Sequence, residues 1–98
     1  MKTKPIVQII FIKRDTLEGA NTEKWIASTT IEKLVYLPSV DDLIETIDDE
    51  GKRGCFKIVD KNISLDSHGN GYHSINFIYK TVLGKDEDLI NSIVIKNE

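Results

Sequence analysis

The alternation of apolar and polar residues is clearest between Gly54 and Val82, where it predicts a β-hairpin. Two runs in this stretch, Cys55–Leu65 and Tyr72–Val82, are rich in the β-branched and aromatic residues that strands favour. The six residues between them, DSHGNG at 66–71, include two glycines and an asparagine, which tolerate positive φ angles at little steric cost.

The first part of the chain predicts two further strands. Residues 6–12 are apolar at almost every position, so both faces of a strand here need cover, as in a central strand. Pro5 suits the start of such a strand. Residues 15–22 contain a glycine and an asparagine and predict a turn or loop. Glu23–Ile31 alternates weakly, and its Ser-Thr-Thr run favours a strand over a helix.

Residues 39–50 support two interpretations. Apolar positions recur at the i, i+3, i+4 and i+7 spacing of a helix: Val40, Leu43, Ile44 and Ile47. Ser39 could cap that helix, and acidic residues suit its first turn. However, acidic residues also crowd the end of the segment, where the helix dipole disfavours them, and residues 48–54 resemble a polar hairpin connection. Both a helix and a strand therefore remain open for this segment.

The two remaining segments, 32–37 and 84–98, have less regular patterns of apolar residues. Glu32–Leu37 is predicted to continue extended or to turn before Pro38. After Gly84, an acidic run can begin a short helix that continues through Ser92, whereas Ile93–Ile95 resembles a strand.

These elements predict a mainly β fold in one domain, residues 1–98. With a strand at 39–50, the chain becomes a small antiparallel meander or barrel of about five strands, SH3-like or OB-like, with a short C-terminal helix or strand. With a helix at 39–50, it becomes an α+β fold in which that helix packs on an antiparallel sheet.

Composition narrows the function classes. The net charge of −3 argues against a purely electrostatic nucleic-acid binder. A single cysteine excludes an intramolecular disulfide. No stretch has the length of a membrane span, and no signal-peptide cleavage site follows the first apolar run. We therefore predict a cytoplasmic protein without membrane contact. Heavy use of isoleucine, lysine and asparagine is typical of an AT-rich source genome.

The most distinctive polar feature is an acidic set without an intervening positive residue: Asp41, Asp42, Glu45, Asp48, Asp49 and Glu50. Such a set can occupy a basic surface on another protein, although most charge runs are solvated faces. We predict that these residues bind a partner protein with a basic surface. A small acidic domain of this kind fits a phage or mobile-element accessory protein that inhibits a host enzyme.

Residues with the chemistry of a catalytic or metal site form no specific motif. Asp66, His68 and His73 cluster around the hairpin turn, but their number and spacing match no zinc motif. Cys55, at the start of a strand, is the kind of lone cysteine that usually packs in a core. Asp60 adds another carboxylate without a defined partner. The sequence therefore predicts no catalytic residue, no metal ligand and no cofactor.

Three alternatives remain. One is a single-stranded nucleic-acid-binding barrel that uses a mixture of aromatic and basic residues: Trp25, Tyr36, Tyr72, Tyr79, Lys24, Lys57, Lys61 and Lys80. Another is a small metal-dependent hydrolase. The third concerns assembly: one face of the first strand, either Ile6, Ile10 and Ile12 or Val7, Ile9 and Phe11, lacks cover in a thin domain. A second copy can cover it in a homodimer, or the C-terminal segment can cover it on a closed barrel, and both remain open.

Overall fold

In the part of the chain that the structure describes, five strands form one mixed sheet, and a short C-terminal helix packs against one of its faces. The computed structural model describes residues 6–17, 20–68 and 72–95. Its elements are β1 (Ile6–Leu17), β2 (Ala20–Thr30), a 3-10 helix (Ile31–Lys33), β3 (Leu43–Ile47), β4 (Arg53–Leu65), β5 (Tyr72–Leu83) and α1 (Asp86–Ile93). The predicted mainly β fold of five strands with a short C-terminal helix is confirmed.

The hairpin that anchors the sequence interpretation is formed by β4 and β5. The two strands pair antiparallel from Leu65 opposite His73 to Cys55 opposite Leu83, with irregularities after Cys55 and after Ile58. Residues 69–71 of its predicted turn lie outside the described residues. The hairpin prediction is confirmed because each strand runs the full length of its β-branched and aromatic run.

The order of the strands in the sheet is β2-β1-β5-β4-β3. β1 lies between two strands, as its apolar character on both faces predicts. It pairs antiparallel with β2, from Gln8 opposite Thr30 to Leu17 opposite Ala20, and parallel with β5. β1 and β2 continue through most of the predicted loop at 15–22, and residues 18–19 of that loop lie outside the described residues.

The prediction of a purely antiparallel meander or closed barrel is wrong in its connections. The 12 residues between β2 and β3 carry the chain from one edge of the sheet to the other, so the β4–β5 hairpin returns to the middle of the sheet. β5 consequently meets β1 in parallel, and β2 and β3 remain as two separate edges. Part of the predicted Glu32–Leu37 extension instead forms the 3-10 helix that starts this crossing segment.

The core lies between the sheet and α1. It consists of fully or almost fully buried side chains: Ile9, Phe11, Phe56, Ile58, Phe77, Tyr79, Leu89 and Ile93. Phe11 stacks on Phe77 with ring centroids 5.7 Å apart, and Phe56 meets Tyr79 edge to face at 6.1 Å. Aromatic pairs of this geometry add about 0.5 to 1.5 kcal/mol to the free energy gained from burial.

Within residues 39–50 the chain forms the strand β3, so the alternative α+β fold with a helix here is wrong. Ile44 packs against the core and Thr46 is buried, whereas Leu43 points away from the core on the opposite parity. Thr46 lies opposite Gly54, at which an added Cβ would come within 2.4 Å of the threonine hydroxyl oxygen. This tight pairing with β4 decides between two local patterns that the sequence leaves balanced.

The C-terminal helix packs through residues spaced four apart, Leu89 and Ile93, which contact the core. Asp86 holds its first turn on the sheet: the carboxylate accepts hydrogen bonds from the Thr81 hydroxyl at 2.8 Å and the Lys13 ammonium at 3.3 Å. After the helix, Val94 forms a bridge with Leu34 of the crossing segment. In the part of the chain that the structure describes, no helix is long and apolar enough to span a membrane.

Candidate protein-binding surface

The six predicted partner-binding residues occupy three positions in the fold. Asp41 and Asp42 end the crossing segment, Glu45 lies in the middle of β3, and residues 48–50 belong to the turn between β3 and β4. The structure therefore distributes the acidic set along one edge of the sheet. The carboxylates differ in their roles: some accept hydrogen bonds from backbone amides, and others point into solvent.

Asp42 is a structural residue of the crossing segment. Its carboxylate accepts hydrogen bonds from the Tyr36 hydroxyl and from the Ser39 amide, the latter at 2.8 Å. The hydrogen bond from Tyr36, followed by the one from Ser39, lowers the pKa of the Asp42 carboxyl, and the same bond to Asp42 raises the pKa of the Tyr36 phenol. The neighbouring backbone is tied to β4 because the Asp41 amide donates to the Ile58 carbonyl at 2.8 Å.

Asp48 is a structural residue of the β3–β4 turn. Its carboxylate accepts hydrogen bonds from the backbone amides of Glu50, at 2.9 Å, and Lys52, at 2.8 Å. Gly51 completes the turn with a φ of 81°, which a residue with a side chain rarely adopts. Asp48 and Asp42 therefore stabilise the loops on either side of β3.

The remaining acidic residues are exposed: Asp41, Glu45, Asp49 and Glu50. Glu50 lies 3.7 Å from the Lys52 ammonium, but both side chains are about three-quarters exposed, and exposed ion pairs contribute little. These four carboxylates are the members of the predicted set that a partner can reach.

The edge strand β3 adds two exposed apolar residues that sequence reasoning missed. Leu43 is 63% exposed and Ile47 is 67% exposed, on either side of Glu45 and on the same parity of the strand. The five residues LIETI contain this information, because in a strand Leu43 and Ile47 lie on the face opposite to the half-buried Ile44. The helical spacing of the same residues concealed it.

The helix contributes a further carboxylate. Asp88 of α1 borders a groove of about 330 Å³ between the helix and the β3–β4 turn, together with Ile47, Asp48, Asp49, Asn91 and Ser92. None of these six lining residues is basic. Asp48, Asp49 and Asp88 also line a neighbouring groove, whose lining includes Lys52, Arg53 and Lys85, so their negative charge is partly compensated on that side.

We call the combined feature the β3 surface and define it by the residues that a partner can reach along this edge: Leu43, Glu45, Ile47, Asp49, Glu50 and Asp88. It joins an alternating apolar and acidic strand to an acidic groove. Asp88 was also missed by sequence reasoning, because its distance from residues 48–49 along the chain gives no indication of their proximity.

The residues considered for a metal site stabilise the hairpin turn. The Asp66 carboxylate accepts a hydrogen bond from the His68 amide at 2.8 Å, and the Asp66 amide donates to Nδ1 of His73 at 3.2 Å. Among the described residues, no group of three His, Cys, Asp or Glu side chains is arranged to hold a metal ion. Cys55 is half-buried and pairs with Glu45 across the two strands.

The residues considered for nucleic-acid binding are separated by the fold. Tyr79 is fully buried in the core, and the Lys61 ammonium lies over the Phe77 ring, 5.7 Å from its centroid. Lys57 and Lys80 face each other across β4 and β5, whereas the exposed Trp25 lies on the edge strand β2. The side chain of Tyr72 lies outside the described part. Among the described members of this set, the buried Tyr79 presents no ring to a base, and nucleic-acid binding stays a prediction.

The two faces of β1 differ in their cover. Ile9 and Phe11 are fully buried in the core with α1, whereas Ile10 and Ile12, on the other face, are only half-buried. Homodimerisation stays a prediction, and the face that would carry it is the one with Ile10 and Ile12.

Comparisons of this chain with protein-family models, with curated proteins and with solved structures found no match.

Proposed function

We propose that this protein is a non-enzymatic binding module that captures a basic segment of another protein on the β3 surface. The observation that carries the proposal is the combination of exposed Leu43 and Ile47 with accessible carboxylates on one edge of the sheet. Burial of apolar side chains favours association, and complementary charge supplies association rate and selectivity. The β3 surface offers both.

The negative charge of the surface sets the sign of the partner. Asp49 and Asp88 line the groove beside α1 without a basic lining residue, so a lysine or arginine side chain of a partner would find two or more carboxylates there. A partner that uses its basic surface to bind nucleic acid would lose access to that nucleic acid when the β3 surface occupies it. Inhibition of a nucleic-acid-handling enzyme by competition is the activity that we propose.

The test is affinity capture from the source cell, followed by measurement of the purified partner's dissociation constant. We expect Glu45→Lys combined with Asp49→Lys to weaken binding about tenfold or more and to flatten its dependence on salt, because two favourable charge interactions become repulsive. Neither side chain holds the backbone, so the fold should be retained.

The matched control is Glu32→Lys combined with Glu87→Lys, which makes the same charge change on two exposed residues, one in the 3-10 helix and one on the side of α1 that borders β2. Binding should respond weakly to this variant. Equal losses in the control and the test variants would show that net charge, and not the β3 surface, determines binding. Unchanged affinity in the test variant would contradict the proposal.

A further inference from the structure

The outer edge of β3 has unpaired backbone groups. In an antiparallel pair, alternate residues hydrogen-bond to the neighbouring strand. The Asp48 amide donates to the Lys52 carbonyl at 3.0 Å and the Ile58 amide donates to the Asp42 carbonyl at 3.0 Å, so even-numbered positions face β4. The amide and carbonyl groups of the odd-numbered positions in β3 therefore point away from the sheet. Within the described ranges, no strand pairs with this edge.

The side chains of those same residues are accessible. Leu43, Glu45 and Ile47 are all exposed, whereas Ile44 is half-buried and Thr46 is buried beneath them. A strand added to this edge would gain main-chain hydrogen bonds from three residues and cross-strand side-chain contacts with the same three. Recognition by strand addition uses this combination, since the backbone supplies affinity and alternate side chains supply specificity.

We propose that β3 is the docking edge for an extended, antiparallel strand of a partner protein, in which a basic residue lies opposite Glu45 and apolar residues two positions before and after it lie opposite Leu43 and Ile47. This inference rests on the proposed function and specifies how the basic partner binds. Opposite-charge and apolar pairs across antiparallel strands are each favourable.

The acidic centre of β3 disfavours a second copy of this chain as the occupant. Antiparallel pairing of two β3 strands about their midpoint would place Glu45 opposite the same residue of the other copy, and directly opposed like charges are destabilising. The apolar residues on either side would still match. A basic residue at the centre of the incoming strand removes the repulsion and keeps both apolar pairs.

The test uses blocked heptapeptides and the full-length protein. The probe TVTKTVT carries the proposed pattern, TVTETVT replaces its lysine by glutamate, and a third peptide is TVTKTVT with N-methyl groups on its lysine and both valines, which removes the donors that would face β3. Dissociation constants come from NMR titration, and hydrogen exchange reports protection of individual backbone amides.

We expect TVTKTVT to slow amide exchange at Leu43, Glu45 and Ile47. It should bind about two- to fivefold more tightly than TVTETVT, which is the range for one cross-strand charge pair. Glu45→Lys should reverse this preference. Glu45→Pro should abolish binding of both peptides with little loss of stability, because proline is tolerated on an edge strand where the missing amide faces solvent.

Two outcomes would overturn the inference. One is equal binding of the N-methylated peptide, and the other is protection at Ile63 and Leu65, on the part of β4 that extends beyond its pairing with β3. If the lysine peptide still binds more tightly than the glutamate peptide and Asp49→Lys weakens it, strand addition fails while the acidic binding surface stands. Equal binding of the lysine and glutamate peptides, unaffected by Asp49→Lys, would contradict both.

Discussion

The two edges of the sheet differ in how well they are protected against an incoming strand. β2 has 11 residues, but the ladder to β1 is interrupted by a register shift opposite Phe11 and Ile12, and Lys24 is exposed on it. Bulges and lysines are common devices that prevent edge strands from pairing with other chains. β3 has only five residues, a regular register with β4 and exposed apolar side chains at both ends.

The comparison shows that strand length does not identify the more accessible edge. The longer edge strand, β2, pairs irregularly with its neighbour, whereas the shorter one, β3, pairs regularly and packs tightly against β4. Thr46 fits against Gly54, and Gly54 in turn lies so close to Gly84 that a Cβ on Gly84 would be 2.9 Å from it. A rigid edge is pre-organised, so a partner strand loses less entropy when it pairs with it.

The largest expected effect is on the packing of β3 against β4, where Thr46 contacts Gly54. Gly54→Ala places a methyl group 2.4 Å from the Thr46 hydroxyl oxygen, 3.1 Å from the Phe56 ring and 3.3 Å from the Leu83 carbonyl oxygen. We expect a loss of about 2 kcal/mol in the free energy of unfolding, since overpacking of this kind costs about 1 to 3 kcal/mol. Urea denaturation measures it.

The control for this prediction is the double variant Gly54→Ala with Thr46→Ala. Removing the hydroxyl that meets the new methyl group should recover part of the lost stability relative to the sum of the two single variants, as interacting sites are not additive. Additive losses would show that Thr46 does not hold β3 against Gly54.

The next effect is smaller and concerns peptide binding, which should depend on β3 and not on β2. Leu43→Thr with Ile47→Thr removes the exposed apolar side chains of β3, and we expect about tenfold weaker binding of TVTKTVT with almost unchanged stability. The matched variant on the other edge is Trp25→Thr, since Trp25 is 65% exposed on β2. NMR titration gives the dissociation constant of TVTKTVT for both variants. Equal weakening of binding by Trp25→Thr would contradict specific binding at β3.

The next prediction concerns the inner side of β3. The buried hydroxyl of Thr46 has no hydrogen-bond partner within the described part of the chain. Thr46→Val replaces this hydroxyl by a methyl group of similar size, and we expect an increase of about 1 kcal/mol in stability, because a buried unsatisfied polar group costs about 1 to 3 kcal/mol. Thermal unfolding should show a higher midpoint for Thr46→Val than for Thr29→Val, a half-buried threonine on β2. A lower midpoint would contradict the prediction.

The smallest effect is the pH dependence of the segment that leads into β3. In the folded protein the hydrogen bond from Tyr36 lowers the pKa of Asp42 below its ordinary value of 3.8, so the bond contributes stability above that pH and loses its contribution as pH falls through the lowered pKa. The Tyr36 phenol has a raised pKa, so its contribution is present below its ordinary value of 10.0 and is lost as pH rises through the raised pKa.

Tyr36→Phe should therefore be less stable than the unmodified chain at neutral pH, and the two should converge in strong acid. Urea denaturation at a series of pH values measures the difference between them. A difference that persists unchanged below the lowered pKa of Asp42 would show that the hydrogen bond is not its cause.

Elements with strong local signals can be predicted from the amino-acid sequence alone. The β4–β5 hairpin is encoded in two strand-forming runs and a glycine-rich turn, β1 in a run that is apolar on both faces, and the start of α1 in an acidic run, although the sequence assigned Ile93 to a strand and the structure places it at the end of the helix. In the hairpin and in β1, residue pattern and strand propensity favour the same structure, and long-range contacts did not override them.

The conformation of residues 39–50 and the roles of their carboxylates depend on contacts with distant parts of the chain. The apolar spacing satisfies a helix and a strand equally, and the seating of Thr46 against Gly54 is a contact that no local pattern contains. The parallel pairing of β1 with β5 depends on where the crossing segment ends, which is a long-range property. In the same way, Asp42 and Asp48 resemble their exposed neighbours in sequence, and their hydrogen bonds to the loops around β3 become visible only when those loops are folded.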